Sequence, residues 1–342
     1  MKVAVDAMGG DFAPSIAIEG IAMAVKEYPE IDIYVVGHTQ KISYYLAKFG
    51  IENHPKITLV HAESTVDMSD KATIALKKKK DSSMTVAAEL VKSGTVGAVV
   101  SAGHTGAAVA TMTVKARMLP GIERPAIATL IPAKHGHIIM VDAGANPDCK
   151  PKNLAQFAIL GETYAKLILD IDKPKIGLLN VGEEEGKGNE LTKEAYKILS
   201  KMPIDFHGNI EAKTVFNNVV DVVVCDGFVG NVFLKTCEGL AKTTMHWLKD
   251  ALTKNAIRKT GALIAKNAFK DLKAIANDEE YGGAPLLGTN GICIIGHGSS
   301  SALAIKNAIK VAANSLEFKV NDIIKDKIAR SNIDEIIESI QS

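Results

Sequence analysis

Short apolar runs of strand length recur along the chain, at 3–5, 31–36, 57–60, 96–100, 127–131, 138–141, 176–179, 219–224 and 292–295. Segments with helical apolar spacing separate many of them, at 16–27, 86–92, 105–115, 153–169, 190–200 and 300–313. No other feature constrains the fold as much. Strands separated by helices need crossover connections, which are right-handed and leave the strands parallel. The expected fold class is α/β, a doubly wound, largely parallel sheet. The runs at 127–131 and 138–141 depart from the pattern and read as a hairpin turning at Lys134-His135-Gly136. A chain of 342 residues fits one large α/β domain or two lobes. No linker, repeat or composition break divides it, so 1–342 is read as a single unit.

In such sheets the reactive crevice lies beyond the carboxyl ends of strands. The turns just after these runs are rich in glycine: Asp6-Ala7-Met8-Gly9-Gly10-Asp11, Ser101-Ala102-Gly103-His104-Thr105-Gly106, Asp142-Ala143-Gly144-Ala145-Asn146, Asp226-Gly227-Phe228-Val229-Gly230-Asn231 and Gly296-His297-Gly298-Ser299-Ser300. Taken singly, each glycine has an ordinary explanation in a turn or a close backbone approach. Taken together, with helices opening after several of them, the turns are expected to converge on one rim and to aim backbone N–H groups at an anion. Gly9, Gly10, Asp11, Ser101, Gly103, His104, Thr105, Gly106 and Gly298 form the candidate cradle.

The most informative single stretch is Asn180-Val181-Gly182-Glu183-Glu184-Glu185-Gly186-Lys187-Gly188-Asn189. Here an ammonium flanked by Gly186 and Gly188 stands between a strand and a helix, where it can meet an anion together with unpaired N–H groups. It is not an ATP-binding P-loop, because the glycine spacing is one residue short and Gly188 follows the lysine where a hydroxyl belongs. The ordinary alternative is a solvated charged turn. The turn at Gly296 imitates a dinucleotide fingerprint, with Glu317 downstream, but lacks the third glycine. A nicotinamide-dependent oxidoreductase is therefore the runner-up.

Composition narrows the partners. A net charge of +1 gives no global drive toward nucleic acid. Cys149, Cys225, Cys237 and Cys293 are far apart and suggest neither a zinc site nor a disulfide framework. Cys225 continues an apolar strand and reads as a buried, inert thiol. Asp6, Asp11, Asp142 and Asp226 come just after strands, where capping and loop fixation explain an aspartate as well as a metal does. No metal and no cofactor is expected. No secretory leader or membrane span is read, so the expected location is cytoplasmic.

Several strings identify a family. The opening Val5-Asp6-Ala7-Met8-Gly9-Gly10-Asp11, then Lys79-Lys80-Asp81-Ser82-Ser83-Met84, Asp142-Ala143-Gly144-Ala145-Asn146 with Asp148-Cys149-Lys150-Pro151, the Lys187 loop, Gly208-Asn209-Ile210-Glu211, Val223-Val224-Cys225-Asp226-Gly227-Phe228-Val229-Gly230-Asn231 and Tyr281-Gly282-Gly283-Ala284-Pro285-Leu286-Leu287-Gly288 closely resemble the bacterial phosphate acyltransferases of phospholipid synthesis, the PlsX family. The resemblance spans nearly the whole chain. One departure is His104, where the family pattern has asparagine.

The resemblance implies transfer of a fatty acyl group from acyl carrier protein to inorganic phosphate. The acyl phosphate would serve the membrane glycerol-3-phosphate acyltransferase. It also implies a homodimer with a fold similar to isocitrate and isopropylmalate dehydrogenases and to phosphotransacetylases. Phosphate is itself the nucleophile in such a reaction, which accounts for the lack of a Ser-His-Asp or Cys-His order. Lys187 is the candidate for phosphate and oxyanion charge, Asn231 for hydrogen bonding to the reacting groups, and His297 for protonating the leaving thiolate.

Residues 235–275 are basic and amphipathic, with Lys235, Lys242, Lys249, Lys254, Arg258, Lys259 and Lys266 interleaved with Trp247, Leu248, Leu252, Ile257 and Leu263. A protruding helical hairpin is expected there, serving as a dimer contact, an anchor on an anionic membrane surface, or both. The run Lys77-Lys78-Lys79-Lys80 offers a basic face to an acidic carrier protein, the surface that a purely scaffolding protein would also need.

Overall fold

The computed structural model describes residues 1–67, 70, 76–275 and 281–341. Its first half runs β1 (Lys2–Asp6), α1 (Ser15–Glu27), β2 (Asp32–Gly37), α2 (Thr39–Lys48), β3 (Ile57–His61), α3 (Ser83–Lys92), β4 (Ala98–Ser101) and α4 (Thr105–Lys115). The hairpin β5 (Ala126–Pro132) and β6 (His137–Val141) comes next, then α5 (Pro151–Ile168), β7 (Ile176–Asn180), α6 (Glu190–Leu199), β8 (Phe206–Glu211) and β9 (Val222–Val224). The chain continues through α7 (Gly227–Thr253), α8 (Ala256–Ile264) and α9 (Lys266–Ile275) to β10 (Ala284–Leu287) and β11 (Ile292–Ile295). It ends with α10 (Ala302–Glu317), α11 (Val320–Arg330) and α12 (Ile333–Gln341).

Among the described residues the strands form one eleven-stranded sheet in the order β3-β2-β1-β4-β11-β10-β5-β6-β9-β7-β8. Residue alternation decides which helix covers which face. Val3 and Val5 point into the layer that holds Ile18, Ile21 and Ile309, whereas Ala4 between them points to Met84, Ala87 and Ala88 of α3. Gly20 allows α1 to lie against α10, since a Cβ there would stand 2.6 Å from the Ile305 Cβ. Ser82 caps α3 by accepting from the Thr85 N–H, and Ser301 caps α10 by accepting from Ala304.

The expected α/β class and the hairpin hold. Lys134-His135-Gly136 turns between β5 and β6, with the Ala133 N–H donating to the Gly136 carbonyl at 3.0 Å. The single rim does not hold in its simple form. β10 pairs antiparallel with both β11 and β5, and β5 pairs antiparallel with β6. The parallel block β3-β2-β1-β4-β11 therefore runs opposite to the parallel block β6-β9-β7-β8, and the glycine turns divide between the two blocks.

The stretch over 235–275 is the distal part of a 27-residue helix, α7, continued by the two short helices α8 and α9. Trp247, Ile257, Leu263 and Ile264 are exposed, while Leu248 and Leu252 are half-buried. Among the described residues, no helix is long and apolar enough to cross a membrane.

Candidate active site

Three groups of loops carry the candidate residues. The first lies at the ends of β1, β4 and β11. Asp6, 4% exposed, accepts from the Met8 N–H at 3.2 Å and from the Ser101 hydroxyl at 2.8 Å. Burial pushes its carboxyl above the usual range, while the Ser83 and Ser101 hydroxyls and the Met8 and Gly9 N–H groups pull the other way. The Ser101 hydroxyl also accepts from the Gly103 N–H at 3.2 Å. Gly9 is confined, because a Cβ on it would stand 2.8 Å from both Asp6 Oδ2 and the Gly103 nitrogen. The Asp11 N–H donates to the Gly298 carbonyl at 2.8 Å and joins the first and last of these turns. A cleft between the turns after β1 and β4 is lined by Asp6, Gly9, Ser83, Ser101, Gly103 and His104, where α3 and α4 begin.

His104 is the N-cap of α4: its Nδ1 accepts from the Ala107 N–H at 3.2 Å. An asparagine Oδ1 performs the same service at a helix start, so histidine keeps the capping function at this position. His297 is exposed, and its Nδ1 accepts from the Ser299 N–H at 3.2 Å. A neutral imidazole held this way carries its proton on Nε2.

The second group lies at the ends of β6 and β9. Asp142 is fully buried and receives five N–H donors. Its Oδ1 accepts from Ile127 at 3.0 Å, Gly144 at 3.0 Å and Ala145 at 2.9 Å; its Oδ2 accepts from the Asn146 backbone at 2.7 Å and side chain at 2.8 Å. Burial raises its carboxyl, and these donors, which only an acceptor can use, oppose that rise. Asp226 caps α7 by accepting from the Val229 N–H at 2.9 Å. Asn231, one turn into α7, is exposed and stands over Gly144, where a Cβ would touch its side chain at 3.4 Å.

Cys225 is buried, and its thiol is pushed well above the ordinary range by burial and then by Asp142 and Asp226. Cys149 is pushed up to about 12 by burial and by Asp142. In both, burial disfavours the thiolate, the form that a nucleophile needs.

The third group is the Lys187 loop at the end of β7, the strand that pairs with β9. Lys187 is exposed, and its ammonium has no ion pair among the described residues. Its loop is nevertheless tied down. The Asn180 side chain donates to the Lys187 carbonyl at 3.1 Å and to Asn209 Oδ1 at 3.0 Å, and the Asn209 side chain donates to the Glu184 carbonyl at 2.9 Å. Gly188 takes φ +99°, and Asn189 then caps α6 by accepting from Thr192 at 2.9 Å. Gly186 has open space around it.

Gly9, Gly10, Asp11, Ser101, Gly103, His104, Thr105, Gly106, His297 and Gly298 thus belong to the first group, Asn231 to the second, and Gly186, Lys187 and Gly188 to the third. Among the described residues no hydrogen bond links Lys187, Asn231 and His297 directly. Sequence reasoning assigned no role to Asn180 or Asn209. Of the run at 77–80, Lys79 is occupied by Asp70 at 2.6 Å and Asp67 at 3.1 Å, which leaves Lys77, Lys78 and Lys80 exposed.

Known proteins match this chain over nearly its whole length. A phosphate acyltransferase from Geobacter sulfurreducens is 47% identical over 328 residues, covering 96% of this chain and 94% of the relative. One from Nitratiruptor is 46% identical over 329 residues, covering 96% and 98%. Among solved structures, a phosphotransacetylase from Streptococcus pyogenes superimposes with a TM-score of 0.59 at 19% identity, covering 93% of this chain and 94% of that one. A 4-hydroxythreonine-4-phosphate dehydrogenase from Klebsiella pneumoniae gives 0.52 at 14% identity, covering 92% and 97%. These two likenesses establish the fold and nothing more. The family model described as fatty acid synthesis protein matches residues 1–323, and the chain belongs to that family.

Proposed function

We propose that this protein transfers a fatty acyl group from the thioester of acyl carrier protein to inorganic phosphate, releasing acyl phosphate and the carrier thiol. The observation that carries the reading is the Lys187 ammonium, exposed and without an ion pair among the described residues, in a loop pinned on both sides and opening onto the start of α6. The names of the relatives support the same chemistry.

In this reaction a phosphate oxygen attacks the thioester carbon, a tetrahedral oxyanion forms, and the C–S bond breaks. The protein's task is to hold two anionic or polar reactants within about 3–3.5 Å and to stabilise the new charge. Lys187 neutralises phosphate and developing oxyanion charge, the Asn231 amide donates to the reacting oxygens, and His297, as the imidazolium, gives its Nε2 proton to the leaving thiolate. The glycine turns at Gly9, Gly10, Gly103 and Gly298, with the starts of α3 and α4, supply N–H groups to phosphate.

These groups sit on opposed blocks, but the sheet's twist works in favour of their approach. β1 and β7 stand third and tenth in the strand order, seven steps apart. A typical twist of about 20° per step turns one strand direction by roughly 140° relative to the other, which brings opposed carboxyl ends toward the same side.

The partners come from the same chemistry. Exposed Lys77, Lys78 and Lys80 suit an acidic carrier protein. The exposed apolar residues Trp247, Ile257 and Leu263, among the basic residues of α7 to α9, suit an anionic membrane surface, a second copy of the chain, or both. A protein that works in the cytoplasm and attaches peripherally to the inner membrane face would deliver acyl phosphate to the membrane glycerol-3-phosphate acyltransferase. The test is phosphate-dependent consumption of purified acyl carrier protein thioester. Binding of the carrier without product would instead favour a scaffold, and specific NAD binding would favour an oxidoreductase.

A further inference from the structure

The loop that carries Lys187 is held by a pair of asparagine side chains from two neighbouring strands. Asn180 ends β7 and Asn209 lies within β8, 3% exposed. Asn209 Oδ1 accepts from the Asn180 Nδ2 at 3.0 Å, and the two amides then reach in different directions. Asn209 Nδ2 donates to the Glu184 carbonyl at 2.9 Å, in the middle of the loop. Asn180 Nδ2 donates its other hydrogen to the Lys187 carbonyl at 3.1 Å, and Asn180 Oδ1 accepts from the Val181 N–H at 2.9 Å. The start, middle and end of the loop are thus tied to one amide pair.

The register of the sheet is altered to make this pair. β7 and β8 pair in parallel, Ile176 with Phe206 and then Gly177 with Gly208, so that His207 is an extra residue on β8. Gly208 takes φ +111° at this irregularity. A one-residue slip turns every later side chain on the strand to the other face, which is how a bulge re-aims a side chain. Beyond the slip Asn209 pairs with Leu178 and lies diagonal to Asn180 on the same face. Without it, the Asn209 amide would face the other side of the sheet.

We infer that Asn180 and Asn209 are positioning residues for the phosphate-binding step: the pair holds the Lys187 backbone, and through it the ammonium, at the place where phosphate is received. This rests on the reading of Lys187 given above. An untied loop between β7 and α6 would sample many positions for its lysine, and even a 1 Å misplacement can cost about a hundredfold in rate. Because the two amides act as one unit, removing both should cost little more than removing one.

The experiment measures KM for phosphate, kcat and thermal stability for Asn209→Ala, Asn180→Ala, the double variant, Asn209→Asp and Lys187→Ala. The expected result is at least a tenfold loss in kcat/KM for phosphate in each asparagine variant, with KM for the acyl carrier protein thioester unchanged and a non-additive double variant. Asn209→Asp keeps the side-chain shape but faces the Glu184 carbonyl with an acceptor, so its activity should recover as pH falls and the carboxyl gains a proton to donate. That recovery is not expected of a residue needed only for folding. If the asparagine variants fold and keep wild-type phosphate kinetics while Lys187→Ala is inactive, the clamp is wrong and the lysine reading stands. If Lys187→Ala is fully active, the lysine reading falls, and the clamp falls with it. Should the alanine variants fail to fold, an Asn209→Asp variant that folds and shows a flat pH profile overturns the inference.

Discussion

Gly230 lies directly on the carbonyl of Asp142, so that a Cβ built on it would overlap the Asp142 oxygen and press on Cys225 Sγ. The first turn of α7, which carries Asn231, is thereby seated on the loop after β6. Gly230→Ala must move backbone against backbone, and overpacking of this kind costs about 1–3 kcal/mol. The variant is expected to melt earlier and, since Asn231 moves with the helix, to lose turnover. Paired thermal unfolding and activity assays check this; an alanine variant with wild-type values in both would contradict the seating.

Asp142→Asn tests the side chain of the same residue, whose carboxylate fixes the loop after β6. Five N–H donors converge on the carboxylate, and an amide would turn two hydrogens toward groups that are themselves donors. A loss of about 3 kcal/mol is expected from the unmade bonds. Denaturant unfolding of the variant measures it, and a loss below about 1 kcal/mol would mean that the donors do not hold the loop.

Thiol chemistry has a predicted sign. A thiol with its pKa raised to about 12, as at Cys149, is in its reactive form only about one part in ten thousand at pH 8, and the fraction rises tenfold with each pH unit. Iodoacetamide at pH 7.5 should leave activity intact, Cys149→Ala and Cys225→Ala should remain active, and no acyl-enzyme should accumulate. Trapping an acylated cysteine would replace direct attack by phosphate with covalent catalysis.

For membrane contact, the structure selects which residues to change. Ile257 and Ile264 are 84% and 83% exposed, whereas Leu252 is half-buried and a poorer choice. Ile257→Glu with Ile264→Glu should release the protein from anionic vesicles while leaving turnover of the soluble thioester unchanged. Each lysine or arginine near an anionic leaflet adds about 1 kcal/mol, so wild-type binding should also weaken with salt. Flotation assays decide it; a variant that still floats removes Ile257 and Ile264 as the anchor.

Much of the fold was legible because its signals are local. The helix expected at 105–115 is α4 to the residue, and the turn at Lys134-His135-Gly136 is where the chain reverses. Of the run at 219–224, only Val222–Val224 pairs in the sheet. β10 carried no comparable signal: Ala284-Pro285-Leu286-Leu287 is four residues long, contains a proline and sits between glycines. That strand is one of the two through which the sheet reverses, so the division of the glycine turns between two blocks could not be read from their spacing. Lys187 was visible as a cation between glycines. Asn180 and Asn209 were not, because they meet only through a parallel pairing with a shifted register, 29 residues apart.

The most direct test of the account compares wild type with Lys187→Ala for phosphate-dependent loss of acyl carrier protein thioester and appearance of acyl phosphate. Removing a group that stabilises developing charge costs about a hundredfold to a thousandfold in kcat. The expected result is a folded variant with unchanged carrier binding and at least that loss. Undiminished acyl phosphate formation by folded Lys187→Ala would contradict it.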